Sequence, residues 1–118
     1  MQNENLGTIK ISDEVITACA ASAVQKIPGV YQLTGGLTES ISKNLLGIEP
    51  GGKGIKLSRG EEGLILDVYI IVEYKVKIPQ LAWDIQGSVK NEIETITETK
   101  VAEVNIHVQG VHLPGEEE

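Results

Sequence analysis

From Leu64 to Val76 every even position is apolar: Leu64, Leu66, Val68, Ile70, Val72, Tyr74 and Val76. A period of two gathers these side chains on one face only in an extended chain, so the spacing predicts a long strand with that face in a core. The odd positions mix Asp67, Glu73 and Lys75 with Ile65, Tyr69 and Ile71, which leaves the reverse face half apolar and makes this strand central. After Ile78 the period changes. At a helical step, Ile78, Leu81, Ala82, Ile85, Val89, Ile93 and Ile96 share an arc of ~120°, the width of a helix lying on a sheet. Pro79 suits the first turn, where no intrahelical N–H is required. Alternation then returns, with Val104, Ile106 and Val108 on one side and Asn105, His107 and Gln109 on the other. Strand, helix and strand in this order make a right-handed crossover between parallel neighbours.

Upstream, Ile9 and Ile11 alternate with Thr8 and Lys10 as a short strand. Ser12 is placed to cap a helix whose first turn holds Asp13 and Glu14. Val15, Ile16, Cys19, Ala20, Ala23, Val24 and Ile27 follow at helical spacing, and Pro28 and Gly29 end it. Many of these residues are small, which suits close packing. Val30 to Leu33 reads as another short strand. The glycine-rich connection from Thr34 to Gly54 carries Leu37, Ile41, Leu45 and Ile48, spaced for a short helix ending at Gly47. Ile55 and Leu57 begin a strand, and Gly60 to Gly63 turn it into the long central strand. The expected fold is a single two-layer α/β (α+β) domain: a mixed β-sheet, two main helices on one face, and a short helix in the glycine-rich connection. Residues 7–113 form this domain, between a flexible N-terminus (1–6) and an acidic, disordered tail (114–118).

The chain has 118 residues, enough for one core, and no Phe, so that core is built of Ile, Val, Leu and Ala. A formal net charge of −7 repels phosphate backbones and anionic lipid, which argues against nucleic acid and direct membrane insertion. No apolar run approaches the ~20 residues that span a bilayer, and the N-terminus lacks a signal pattern, so the expected location is cytoplasmic. Cys19 is alone and sits among alanines, as an inert thiol does.

No reaction centre assembles from these residues. Asp67 and Glu73 share a strand face but stand ~20 Å apart at the strand rise, beyond the reach of paired catalytic acids, and serve there to solubilise the sheet. His107 and His112 are five residues apart on an extended segment, an odd spacing that sends them to opposite faces, and no nearby Cys completes a ligand set, which argues against a shared metal ion. The loop Pro50 to Gly54 with Lys53 lacks the hydroxyl residue and helix of a phosphate loop. Lys53, Lys56 and Arg59 form at most a small basic patch without stacking aromatics. No catalytic residue, metal ligand or cofactor is assigned. Two surfaces stand out instead. Trp83 falls outside the apolar arc of its helix, with Gly87, Lys90 and Glu94 on the same ridge; glycine in an exposed helix costs about 1 kcal/mol, so either this ridge is a docking site or Trp83 covers the glycine-rich segment from Thr34 to Gly54. The reverse sheet face, Ile65, Tyr69, Ile71, Asn105, His107 and Gln109, is too apolar to stay wholly wet and is expected to contact a protein partner or a second copy.

The chain resembles the alkaline shock protein family of small envelope-stress and glucose-starvation proteins. The resemblance rests on Gly7 to Ile16 (GTIKISDEVI), Pro28 to Val30 (PGV), Asp67 to Tyr74 (DVYIIVEY), Ile78 and Pro79 with Gln86 and Val89, and Val104 to Val111 (VNIHVQGV). It implies a small α/β domain without catalytic activity, working in bacterial stress response and cell-envelope homeostasis. Protein partners are implied, a membrane-tethered one among them, which would recruit the chain to the cytoplasmic face of the membrane. Homo-oligomers are expected. An alternative implied role is a regulatory or ligand-binding module linked to fatty-acid synthesis through acetyl-CoA carboxylase, with the glycine-rich segment as a lid. Two departures from the family pattern are Lys75 and Glu98, both at positions that often hold glycine.

Overall fold

The structure, a computed structural model, describes residues 6–35 and 54–115. The expected short helix over residues 37–47, the loop around Lys53, and most of both expected tails lie outside the described residues. Two helices and four strands follow in the order α1 (Asp13–Gln25), β1 (Val30–Leu33), β2 (Ile55–Gly60), β3 (Gly63–Glu73), α2 (Ile78–Thr97) and β4 (Val101–His112). Together they make a two-layer α+β domain.

β3 is the spine of a mixed sheet. β4 runs parallel to it from Leu64 to Glu73, as the strand, helix and strand order predicts. On the opposite edge β2 pairs antiparallel with residues 63–68 of β3 and β1 with residues 70–72, so two strands share one edge end to end. Tyr69 is the junction: its N–H donates to the Gly54 carbonyl (2.8 Å) and its carbonyl accepts from the Thr34 N–H (2.9 Å). Gly54 has φ +90°, and a Cβ there would lie 2.8 Å from Leu33 Cβ. Only glycine lets the ends of β1 and β2 meet so closely.

Leu64, Leu66, Val68, Ile70 and Val72 are all buried, while the odd residues between them are half-buried. The helices cover the even face. α2 buries Leu81, Ile85, Val89, Ile93 and Thr97, a stripe advancing four residues at a time. Ile78 and Ile96, expected on this stripe, are exposed. The stripe's last place goes to Thr97, whose hydroxyl donates to the Ile93 carbonyl (2.8 Å) and so is satisfied in the core. α1 begins where Ser12 Oγ accepts from the Val15 N–H and buries Ile16, Thr17, Ala20, Ala23 and Val24. Its alanines let it lie against α2. The bidentate Arg59–Asp13 pair (2.8 and 3.4 Å) ties its first turn to β2 and holds the Asp13 carboxyl below its usual range.

Two expectations are corrected. Ile9 and Ile11 form no strand: nothing among the described residues pairs with them, Ile9 is exposed, and Ile11 only packs on the core's rim. The central strand stops at Glu73, because Lys75 takes a left-handed conformation (φ 69°) and the Val76 N–H turns back to the Glu73 carbonyl. Tyr74 therefore leaves the apolar face and is exposed.

Lys75 and Glu98 (φ 60°), the two departures from the family pattern, are the two described non-glycine residues with positive φ. A side chain in that region costs about 1–2 kcal/mol. Glycine removes this strain but adds about 0.4–1 kcal/mol of unfolded-chain entropy. Glu98→Gly is expected to stabilise the fold by about 0.5–1 kcal/mol in urea denaturation. Lys75→Gly should gain less, since the Lys75 ammonium lies 5.8 Å from the centre of the Tyr74 ring and that attraction is lost.

Candidate functional site

β4 does not alternate regularly. Its register on β3 slips between Val101 and Glu103 and again between Val108 and Gly110. Each bulge reverses the parity of the side chains. The first brings Val101 into the core beside Val104. The second puts Gly110, not Gln109, opposite Ile71, and sets His112 opposite Glu73. Gln109 is thus removed from the expected polar ladder, and His107 and His112, expected on opposite faces, lie on the same one.

That face carries two similar clusters. His107 Nε2 is 2.8 Å from Asp67 Oδ1, and its ring stacks on Tyr69 at 4.4 Å between centroids and 11° between planes. His112 Nδ1 is 3.2 Å from Glu73 Oε1, and its ring stacks on Tyr31 at 3.9 Å and 5°. Tyr31 belongs to β1 and His112 to β4, so this second stack reaches across β3. The two acids therefore do more than solubilise the face. Each fixes a histidine, whose ring then has one of its two nitrogens left for other partners. Ile65 and Ile71 are half-buried on the same face, and Asn105 Nδ2 donates to Glu103 Oε1 (3.4 Å). Among the described residues no helix lies on this face, and no group of three or more His, Cys, Asp or Glu could hold a metal ion.

The helix ridge divides. Trp83 is 72% exposed and a Cβ on Gly87 would meet nothing within 4 Å, so among the described residues this end is open. Further along, the chain turns inward to β4. Gln86 Nε2 donates to the Val104 carbonyl (3.1 Å), and Lys90 Nζ to Glu94 Oε2 (2.8 Å) and, weakly, to the Val101 carbonyl (3.5 Å). Glu94 Oε2 accepts the Val101 N–H (2.8 Å). Lys90, expected to face a partner, is thus used at the outer edge of β4. A shallow cleft of about 360 Å³ lies here, lined by Gln86, Lys90 and residues 101–105. The hydrogen bond from Lys90, then that from the Val101 N–H, hold the Glu94 carboxyl below its usual range against the opposing cost of burial.

Sequence reading misses Tyr31, His112 and Gln86 as participants. Parity arguments fail at a bulge, and Gly110 is the only local sign of one. Gln86 lies in the stretch carrying the family resemblance but shows no role until β4 is beside it.

The family model that matches residues 1–113 is that of the alkaline shock proteins, described as a family with a cell envelope-related function. The chain belongs to the alkaline shock protein family. It is 34% identical to an uncharacterised Bacillus subtilis protein, YloU, over 91% of this chain and 90% of that one. It is also 26% identical to a stress response regulator gls24 homolog of Streptococcus pyogenes, over 86% of this chain and 57% of that protein. The copper form of the MamM CTD shares the fold, with a TM-score of 0.50 over 89% of this chain and 91% of that one, at 12% identity. As an alkaline shock protein, the chain is a cell-envelope and stress-related protein, and no helix among its described residues is long and apolar enough to cross a membrane.

Two outcomes check this geometry. Glu94 titrates below its usual range when folded, so its stabilisation is whole above that range and fades as pH falls through the folded value. Glu94→Gln should therefore lower the melting temperature at neutral pH, with the deficit closing toward acid. Trp83 in the dilute chain should emit as a water-exposed indole open to acrylamide quenching; blue-shifted, protected emission would remove it as a docking residue.

Proposed function

We propose that this chain serves the envelope stress response without catalysing a reaction: it presents the open face of its sheet to another protein and associates with copies of itself. The observation that carries this is the order already built into that face. Asp67, His107 and Tyr69 fix one another, as do Glu73, His112 and Tyr31, and half-buried Ile65 and Ile71 lie among them. Side chains held in place before binding lose little entropy on binding, and aromatic rings in such a setting make strong anchors. Separate His–acid pairs give a surface for recognition and no nucleophile beside a base. A membrane-bound partner docked here would hold the chain at the cytoplasmic side of the envelope. Trp83 and Gly87 offer a second contact on α2.

The test uses the full chain as bait in extracts of its own cells, with Ile71→Lys on the open face and Asn91→Lys on the exposed side of α2 as a control. Wild type and Asn91→Lys should retain the same partner protein, and Ile71→Lys should reduce it at least tenfold with an unchanged circular dichroism spectrum. Equal retention by all three would refute the role of this face.

A further inference from the structure

Among the described residues β4 is the outer strand of the sheet on its side, paired with β3 along one edge only. In a parallel ladder alternate residues direct both backbone polar groups to the neighbour, and those between direct them away. The register and the Lys100 and His112 carbonyls, which accept the Leu64 and Tyr74 N–H groups, send the backbone of Val101, Val104, Ile106, Val108 and Val111 outward. The two halves of this edge are treated differently. At Val101 both outward groups are met, by Glu94 and Lys90, and at Val104 the carbonyl is met by Gln86, all from one ridge of α2. At Ile106 and Val108 no described group meets them. Natural sheets blunt a free edge with charge, proline or a covering element. Residues 105–112 contain no Lys, Arg, Asp, Glu or Pro, in a chain whose net charge is −7. The side chains of Ile106 and Val108 are only half-buried on the core side, at the rim that α2 leaves uncovered.

We propose that this uncovered stretch of β4 pairs antiparallel with the same stretch of a second copy, about a two-fold axis through His107. In that register Ile106 stands opposite the partner's Val108 and Val108 opposite the partner's Ile106, so every outward N–H and C=O of the two residues finds a mate. A strand free of charge is the part of an acidic chain that can approach itself without repulsion. The capped Val101 and Val104 limit the seam at one end and the bulge at Gln109 limits it at the other. Ile106 and Val108 complete the rim of the core against their counterparts. Two four-stranded sheets become one of eight strands, and their open faces join into one surface with the two His107 side chains adjacent at its centre. This gives the self-association in the reading above its surface and depends on that part of it.

Sedimentation equilibrium of the full chain tests it. Wild type should approach twice the chain mass. Val108→Pro, which deletes an outward N–H that an edge strand does not use in its own fold, should remain at the chain mass. Ile71→Lys, on the open face, should stay dimeric, so failure of partner docking and failure of this seam give different results. A second measurement does not depend on the proline variant folding. In a Cys19→Ala background, His107→Cys should oxidise under dissolved oxygen to a covalent dimer, because opposed Cβ atoms of an antiparallel pair lie ~4.5–5.5 Å apart. Ile71→Cys in the same background should not. Wild type at the single-chain mass up to millimolar concentration, a dimeric Val108→Pro, or His107→Cys crosslinking no faster than Ile71→Cys would each overturn the proposal.

Discussion

A strand has two lateral edges and two faces, and β3 commits three of these four to the interior of the fold. One edge is filled by β4 along its length, the other by β2 and β1 in succession, and the even face is sealed by the two helices. Full occupation of both edges satisfies the backbone of a strand whose core residues are almost dry, a requirement that no other described element in this chain faces so completely. The fourth side remains, and its residues answer to a different demand. They stand open with their acids paired, Asp67 with His107 and Glu73 with His112.

The small residues of α1 follow from the same constraint. With no Phe and few aromatic rings in the chain, the space between helices and sheet must be filled by aliphatic side chains at short range. Ala20 and Ala23 are buried to the last few per cent, which brings α1 against α2. The surfaces proposed for contact all lie on the outside: a flat face, one helix ridge and one strand edge.

Much of this is legible in the sequence because it depends on periodicity. The period of two places β3 and its buried face, the period of 3.6 places α2, and glycines mark the hairpin between β2 and β3. Even the two strained backbone positions are visible as Lys75 and Glu98, where the family pattern often has glycine, although the sequence alone gives no dihedral angle. The rest is hidden for one physical reason. A bulge is a local change of register that costs little and leaves almost no compositional trace, yet it reverses every later side chain in the strand. Two bulges in β4 move Val101 inward, take Gln109 off the polar ladder and bring His112 to the face of His107. Ile9 and Ile11 show the converse: alternation without a neighbouring strand gives no strand.

The most direct test is native-state amide hydrogen exchange on the full chain. If β3 is the element on which the others depend, its amides from Leu64 to Val72 form the slowest-exchanging set, with Tyr69 among them although it lies at the junction of two edge strands. Faster exchange in β3 than in α1 and α2, or a break in protection at Tyr69 that lets the two halves of β3 open separately, would contradict the account.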